Sequence, residues 1–287
     1  MNHKIELARH ALRAAMQLRR NLAIPREAAL NAFDVAKSVG IDVRFLDAPS
    51  LEGMFVREPG LRILLPSLQH RPRPRILYSC AHELGHQQFG HGTRADRYLE
   101  GQADKVQDHD EFLADSFAGH LLMPRAAVLD AFVRRSCTPP TATTRQLFII
   151  SSELGVGYDT LLTHLGVSLN LLTREQREQL GKMSPKEIKT DLCGSPDERT
   201  LVMADQHWKW VPIDAERGDL IGLPEHVGNG VPVLHHEFDR AEFSFFRAEG
   251  VGDAVIPING QKVPLRISRR HYVGPYVNRY LVDPDEC

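Results

Sequence analysis

Apolar positions in the opening stretch MNHKIELARHALRAAMQLRRNLA recur at helical spacing, with Ile5, Ala8, Leu12 and Ala15 in line, and predict an amphipathic surface helix. A second helical pattern starts near Pro25 and runs to about Val39, where Gly40 supplies a stop. The period then shortens. Residues 41–47, 53–57 and 61–66 predict strands, the last two forming a hairpin around Glu58, Pro59 and Gly60. After a basic, proline-rich turn from His70 to Arg75, helices are expected from about Ile76 to Phe89 and from about Asp108 to Met123, the second stopping at Pro124.

From about Pro139 to Asp191 the pattern is helical again. Within it, RQLFIISSELGVGYDTLLTHLGV is broken by Gly155-Val156-Gly157 in the manner of a helix-turn-helix. Its second helix offers Asp159, Thr160, Thr163 and His164, with no Arg or Lys for base edges or phosphates, so a packing element is expected rather than a DNA reader. After Gly194-Ser195-Pro196 the runs alternate and are punctuated by Gly, Pro and Asn, which predicts a β-rich region to the end. The expected organisation is α+β in three parts: 1–135, a helix-turn-helix-like segment 136–194, and a β-rich part 195–287.

At 287 residues the chain can bury a large core without disulfides. Thirty-five Lys+Arg against 37 Asp+Glu leave a net charge of −2, so bulk charge draws the protein to neither nucleic acid nor an acidic membrane. Apolar stretches are too short to span a bilayer, and the charged N-terminus lacks the apolar block of a signal peptide. Cys80, Cys137, Cys193 and Cys287 are scattered without a C-x-x-C pair, which speaks against a disulfide framework or a cysteine zinc site. A cytoplasmic protein with reduced thiols is expected, Cys80 pointing into the core.

Candidate chemistry centres on His82-Glu83-Leu84-Gly85-His86. Residues four apart on a helix lie about 40° apart around its axis, so both imidazoles leave one face and can bind one Zn²⁺. Glu83, on the adjoining face, is the candidate general base, and Gly85 leaves room beside the metal. A third histidine ten positions after His82 would mark a metzincin. Gly90 and His91 each miss that register by one position, and His91 is expected to close the helix as a polar residue.

A carboxylate from the next helix is the alternative. Glu111 and Asp115 lie four apart, with Phe112, Ala114, Phe117, Ala118 and Leu121 available for docking. Glu111 is therefore the expected third ligand, with the fourth position open to water. Asp115 is expected to accept the outer N–H of a ligating histidine. Glu100, Asp104, Asp108 and Asp110 lack that combination.

YSCAHELGHQQFGH followed by HDEFLADSFAGHLLMP resembles the ImmA/IrrE family of bacterial zinc metallopeptidases, whose hallmark is a HELGH helix and then E-x-x-A-[ND]-x-F-A-x-x-L-L-M-P. Glu111, Ala114, Asp115, Phe117, Ala118, Leu121, Leu122, Met123 and Pro124 match that segment position by position, and the likeness covers roughly residues 30–190. It implies a zincin-like, gluzincin-type peptidase domain in 1–135, with zinc on His82, His86 and Glu111. It further implies limited proteolysis of a helix-turn-helix (XRE-like) repressor, relieving repression of stress, DNA-damage or phage-defence genes. Some members carry a GAF-like sensory domain, which residues 195–287 would represent, answering a small-molecule or nucleic-acid effector. The rival expectation is a non-catalytic DNA- or repressor-binding regulator that keeps the zinc site.

Other candidates have plainer expectations. His235-His236-Glu237 falls in a strand, one histidine in and one out. Trp208 and Trp210 should alternate on a strand beneath the β-rich part. Arg266, Arg269, Arg270 and His271 form a basic run that reads as a solvated strand end or a nucleic-acid contact. No phosphate-binding G-x-x-x-x-G-K-[ST] loop is present.

Overall fold

The computed structural model describes residues 2–57, 59–91, 94–97 and 109–282. The fold is mixed α+β, and the chain divides into two compact units: Met1–Ala127 with Tyr272–Asn278, and Val128–His271 with Arg279–Cys287.

In the first unit, α1 (Asn2–Asn21) buries Ala11, Ala15, Leu18 and Arg19, while Ile5 and Leu12 are 44% and 38% exposed. The expected stripe through Ile5, Ala8, Leu12 and Ala15 is thus shifted around the helix. Arg19 accounts for the shift, because its guanidinium donates to the main-chain carbonyls of Leu121 (2.7 Å), Pro25 (3.0 Å) and Ala28. Burial brings its pKa down to about 10, against the opposing pull of Glu27.

Those bonds also correct the second helix. With the Pro25 and Ala28 carbonyls engaged by Arg19, α2 forms only over Ala32–Ser38, where the Asn31 side chain accepts from the N–H groups of Phe33 (2.9 Å) and Asp34 (3.4 Å).

Strands β1 (Asp42–Leu46), β2 (Leu51–Val56) and β3 (Arg62–Pro66) follow the expected runs, with burial alternating along β1 and β2 and along β3 as far as Leu65. Next come α3 (Arg73–Gln88), β4 (Arg94–Arg97) and α4 (His109–Leu122). The sheet order is β12-β1-β3-β2-β4, where β12 is Gly274–Pro275. Strand β3 is parallel to β1 and antiparallel to β2. Helix α3 packs on β2 and α2, and α4 packs on both α1 and α3.

The two-residue β12 pairs antiparallel with β1 through Arg44↔Pro275 and Phe45↔Gly274. Beside it the buried Tyr276 donates its hydroxyl to Asp34 Oδ1 at 2.7 Å and lays its ring against Phe33. The first unit thus takes a strand from the far end of the chain.

The other unit contains most of α5 (Arg125–Arg134), then α6 (Thr144–Glu153), α7 (Tyr158–Thr163), α8 (Arg174–Leu180) and α9 (Pro185–Cys193). Capping boxes open three of these helices: Thr143 with Gln146, Thr173 with Gln176, and Ser184 with Glu187. Leu147, Ile150 and Leu161 are fully buried, so the apolar faces of α6 and α7 are occupied in packing. Buried Glu153 accepts from Arg134 (2.7 Å) and Arg135 (2.8 Å), and Arg135 also reaches Asp205 (2.7 Å).

Strands β5 (Leu201–Met203), β7 (Leu220–Pro224), β9 (Phe243–Ala248) and β8 (Leu234–Arg240) make one sheet in that order; β10 (Gly252–Ile258), β11 (Gln261–Ser268) and β6 (Ile213–Glu216) make another. Trp208 and Trp210 are not on a strand but in the loop before β6. Trp208 is buried and donates Nε1–H to the Val211 carbonyl, whereas Trp210 is 39% exposed at φ 80°. Both His235 and His236 are exposed, because β8 is an edge strand whose pairing shifts by a bulge between His236 and Phe238. Arg266 is turned to Asp214, with two bonds of 2.7 Å, which removes it from any basic surface run. Among the described residues no helix is long and apolar enough to cross a membrane.

Candidate metal centre

Helix α3 carries His82 and His86 on one face, as their spacing requires. The first turn of α4 brings Glu111 to them. The close approach depends on Gly85: a Cβ built there would lie 2.8 Å from Ala114 Cα and 3.1 Å from its carbonyl oxygen. Gly85 therefore makes room for the backbone of α4 rather than for the metal itself.

Three donor groups converge. His82 Nε2 is 3.1 Å from Glu111 Oε2, His86 Nε2 is 3.4 Å from Glu111 Oε1, and the two Nε2 atoms are 3.1 Å apart. Ligands at about 2.0–2.1 Å from a tetrahedral ion stand roughly 3.3 Å from one another. Two imidazoles and a carboxylate at these separations fit a divalent ion of that kind. Among the described residues this is the grouping of three that could hold a metal. His86 is fully buried, while His82 and Glu111 are partly exposed, their side chains at 13% and 18%. Burial pulls the Glu111 carboxyl upward, but contact with His82 and His86 outweighs it and holds the group well below the ordinary carboxylate range.

Glu83 is 1% exposed and directed toward β2. A Cβ at Gly53 would lie 2.8 Å from Glu83 Oε1 and 3.1 Å from its Cγ, so only glycine leaves space for this carboxylate. The pairing of β2 with β4 shifts register between Leu51 and Gly53.

Asp115 is not where the sequence reading put it. It is exposed, and its Oδ1 accepts the Tyr78 hydroxyl at 3.0 Å rather than a histidine N–H. Burial and the adjacent Asp115 carboxylate push the Tyr78 hydroxyl pKa well up.

The outer nitrogen of a ligand histidine meets a different residue. His86 Nδ1 lies 2.8 Å from His91 Nδ1, and His91 Nε2 lies 3.3 Å from Asp110 Oδ1. His91 is more than a polar helix end, because α3 terminates with Gly90 left-handed at φ 71°, Gly90 N–H on the Gln87 carbonyl, and His91 N–H on the His86 carbonyl at 2.9 Å. That paired closure folds the residue after the glycine back over the last turn. The signal was present in the sequence as Gly90-His91 behind the second histidine.

Of the acids weighed as ligands, Asp110 thus reaches the centre through His91, while Glu100, Asp104 and Asp108 lie outside the described residues, as does Cys287. Cys80 is fully buried, which pushes its thiol pKa well up. It faces the core as expected, and Cys137 and Cys193 are likewise free thiols.

Residues 36–172 match the family described as Peptidase_M78, IrrE N-terminal-like domain. No curated protein matches the chain.

Proposed function

Since residues 36–172 belong to the IrrE N-terminal-like peptidase family, we propose that the protein is a zinc-dependent endopeptidase of the gluzincin type, cutting a helix-turn-helix (XRE-like) repressor at a limited site in the cytoplasm. The observation that carries the chemistry is the convergence of His82, His86 and Glu111, with the buried Glu83 next to His82 on the same helix.

Zinc, if held by His82, His86 and Glu111, would supply Lewis-acid chemistry toward the scissile carbonyl and the attacking water. Glu83 takes the proton of the attacking water and passes it to the departing amine. Its confinement between α3 and Gly53 fixes where that proton is held.

The choice of substrate rests on the family resemblance: removal of a repressor would release stress, DNA-damage or phage-defence genes. Residues 195–287 would regulate or recruit. Of the two effector classes, a small molecule fits the region better than nucleic acid, because Arg266 is engaged by Asp214. The GAF-like reading of this region is carried by the resemblance alone.

The test is co-expression with a helix-turn-helix repressor encoded beside the gene, with and without DNA damage, alongside zinc analysis of the purified protein. Repressor fragments from the parent, and none from Glu83→Gln, are expected. An intact repressor bound by a zinc-loaded parent would instead identify a non-catalytic regulator.

A further inference from the structure

We propose that His91 is a positioning residue for the metal centre: with Asp110 it fixes the tautomer and ring orientation of His86, so the start of α4 grips the metal twice, directly through Glu111 and indirectly through Asp110 and His91. The inference rests on the metal-site reading above.

The atoms leave one consistent assignment. His86 Nε2 faces His82 Nε2 and Glu111, so it is the ligating nitrogen and must be unprotonated. The proton of the neutral ring then sits on Nδ1, which is 2.8 Å from His91 Nδ1 and donates to it. His91 accepts at Nδ1 and in turn carries its own proton on Nε2, the atom 3.3 Å from Asp110 Oδ1. Each N–H points the same way, from the metal site outward to a carboxylate.

The backbone builds this geometry. The left-handed Gly90 and the His91 N–H bond to the His86 carbonyl place the two rings together, with centroids 5.1 Å apart and planes at 61°. An apolar contact commonly fills this place at a helix end closed by glycine. Here it is a nitrogen-to-nitrogen hydrogen bond. Outer partners of metal-bound histidines typically change affinity by about 10–100-fold when removed.

The experiment measures zinc dissociation constants by competition with a chromophoric chelator, the visible spectrum of the cobalt-substituted protein, and the unfolding midpoint of the metal-free protein. His91→Leu, which keeps bulk and removes the acceptor, is expected to weaken zinc binding roughly 10–100-fold and to alter the cobalt spectrum. His91→Asn places an amide oxygen near the position of Nδ1, and should recover most of the affinity. Asp110→Asn, at a half-exposed site where folding is not at stake, should weaken binding by a smaller factor.

Zinc affinity and cobalt spectra equal to the parent in both His91→Leu and Asp110→Asn would overturn the inference while leaving the metal site standing. Equal loss in His91→Leu and His91→Asn, with Asp110→Asn unaffected, would also overturn it. A parent protein that binds no zinc, with His86→Ala indistinguishable from it, would remove the metal reading itself.

Discussion

Gly53 on β2 lies so close to Glu83 on α3 that a single methyl added to the glycine would stand 2.8 Å from the carboxylate oxygen. The residue proposed to move the proton is held by the absence of a side chain. Gly53→Ala should therefore displace Glu83 while leaving His82, His86 and Glu111 in place. The expected outcome is zinc content near that of the parent and a loss of kcat approaching that of Glu83→Gln, read from metal analysis and repressor cleavage. Full activity in Glu83→Gln would sink the mechanism.

Gly85 has a different neighbour. Helix propensity alone favours Ala over Gly by about 1 kcal/mol. The added Cβ would meet the Ala114 backbone at 2.8 Å, however, and overpacking against an atom that cannot rotate away costs about 1–3 kcal/mol. The clash should win. Gly85→Ala is expected to lower the urea midpoint and to weaken zinc binding together, because α3 and α4 must separate; a stabilised variant with parental affinity would contradict this.

Arg19→Met should remove the guanidinium donors of the Leu121, Pro25 and Ala28 carbonyls, of which Pro25 keeps the Ala28 N–H at 3.2 Å, while filling much of the same volume. Buried acceptors left without donors cost about 1–3 kcal/mol each, and partial relaxation makes a net loss of about 3 kcal/mol reasonable. That is a large share of the roughly 5–15 kcal/mol available to a folded protein. Chemical denaturation monitored by circular dichroism measures it.

Alkaline stability offers a separate check. Tyr158 donates its hydroxyl to the Leu180 carbonyl at 2.9 Å, and burial, then Asp159, raises its pKa to about 12. Between pH 10 and 12 the unfolded chain has lost this proton and the folded one still holds it. The contribution is complete below pH 10 and disappears as pH rises through about 12. Tyr158→Phe should be less stable than the parent at pH 8, with the difference shrinking toward pH 12; a constant difference would show that the hydroxyl does not titrate as described.

Much of the centre was legible because it depends on intrahelical spacing. His82 and His86 needed only a four-residue interval, and Glu111 only a following helix with an apolar face. The residues around them depend on contacts that no local pattern encodes. Gly53 is read from the other side of the helix–sheet packing, and Asp115 was claimed by Tyr78 thirty-seven positions earlier. His91 is the intermediate case: Gly90 announces a left-handed helix end, and the rule for such ends names the residue that folds back. The displaced stripe on α1 and the late start of α2 share one cause, since an arginine inside a core reverses the expectation that burial follows hydropathy.

The strand β12 sets a timetable for synthesis. The first unit is continuous to Ala127, yet its sheet is completed only by residues 272–278. At roughly 5–20 residues per second on the ribosome, the interval between those two points is on the order of 7–30 s. Throughout that time β1 presents an open edge, the kind of surface that pairs with the wrong chain. A nascent chain halted near Pro196, or a gene truncated there, would thus expose an unpaired edge in the unit that carries the metal ligands. Its solubility in the cell would be decided by what meets β1 in place of β12.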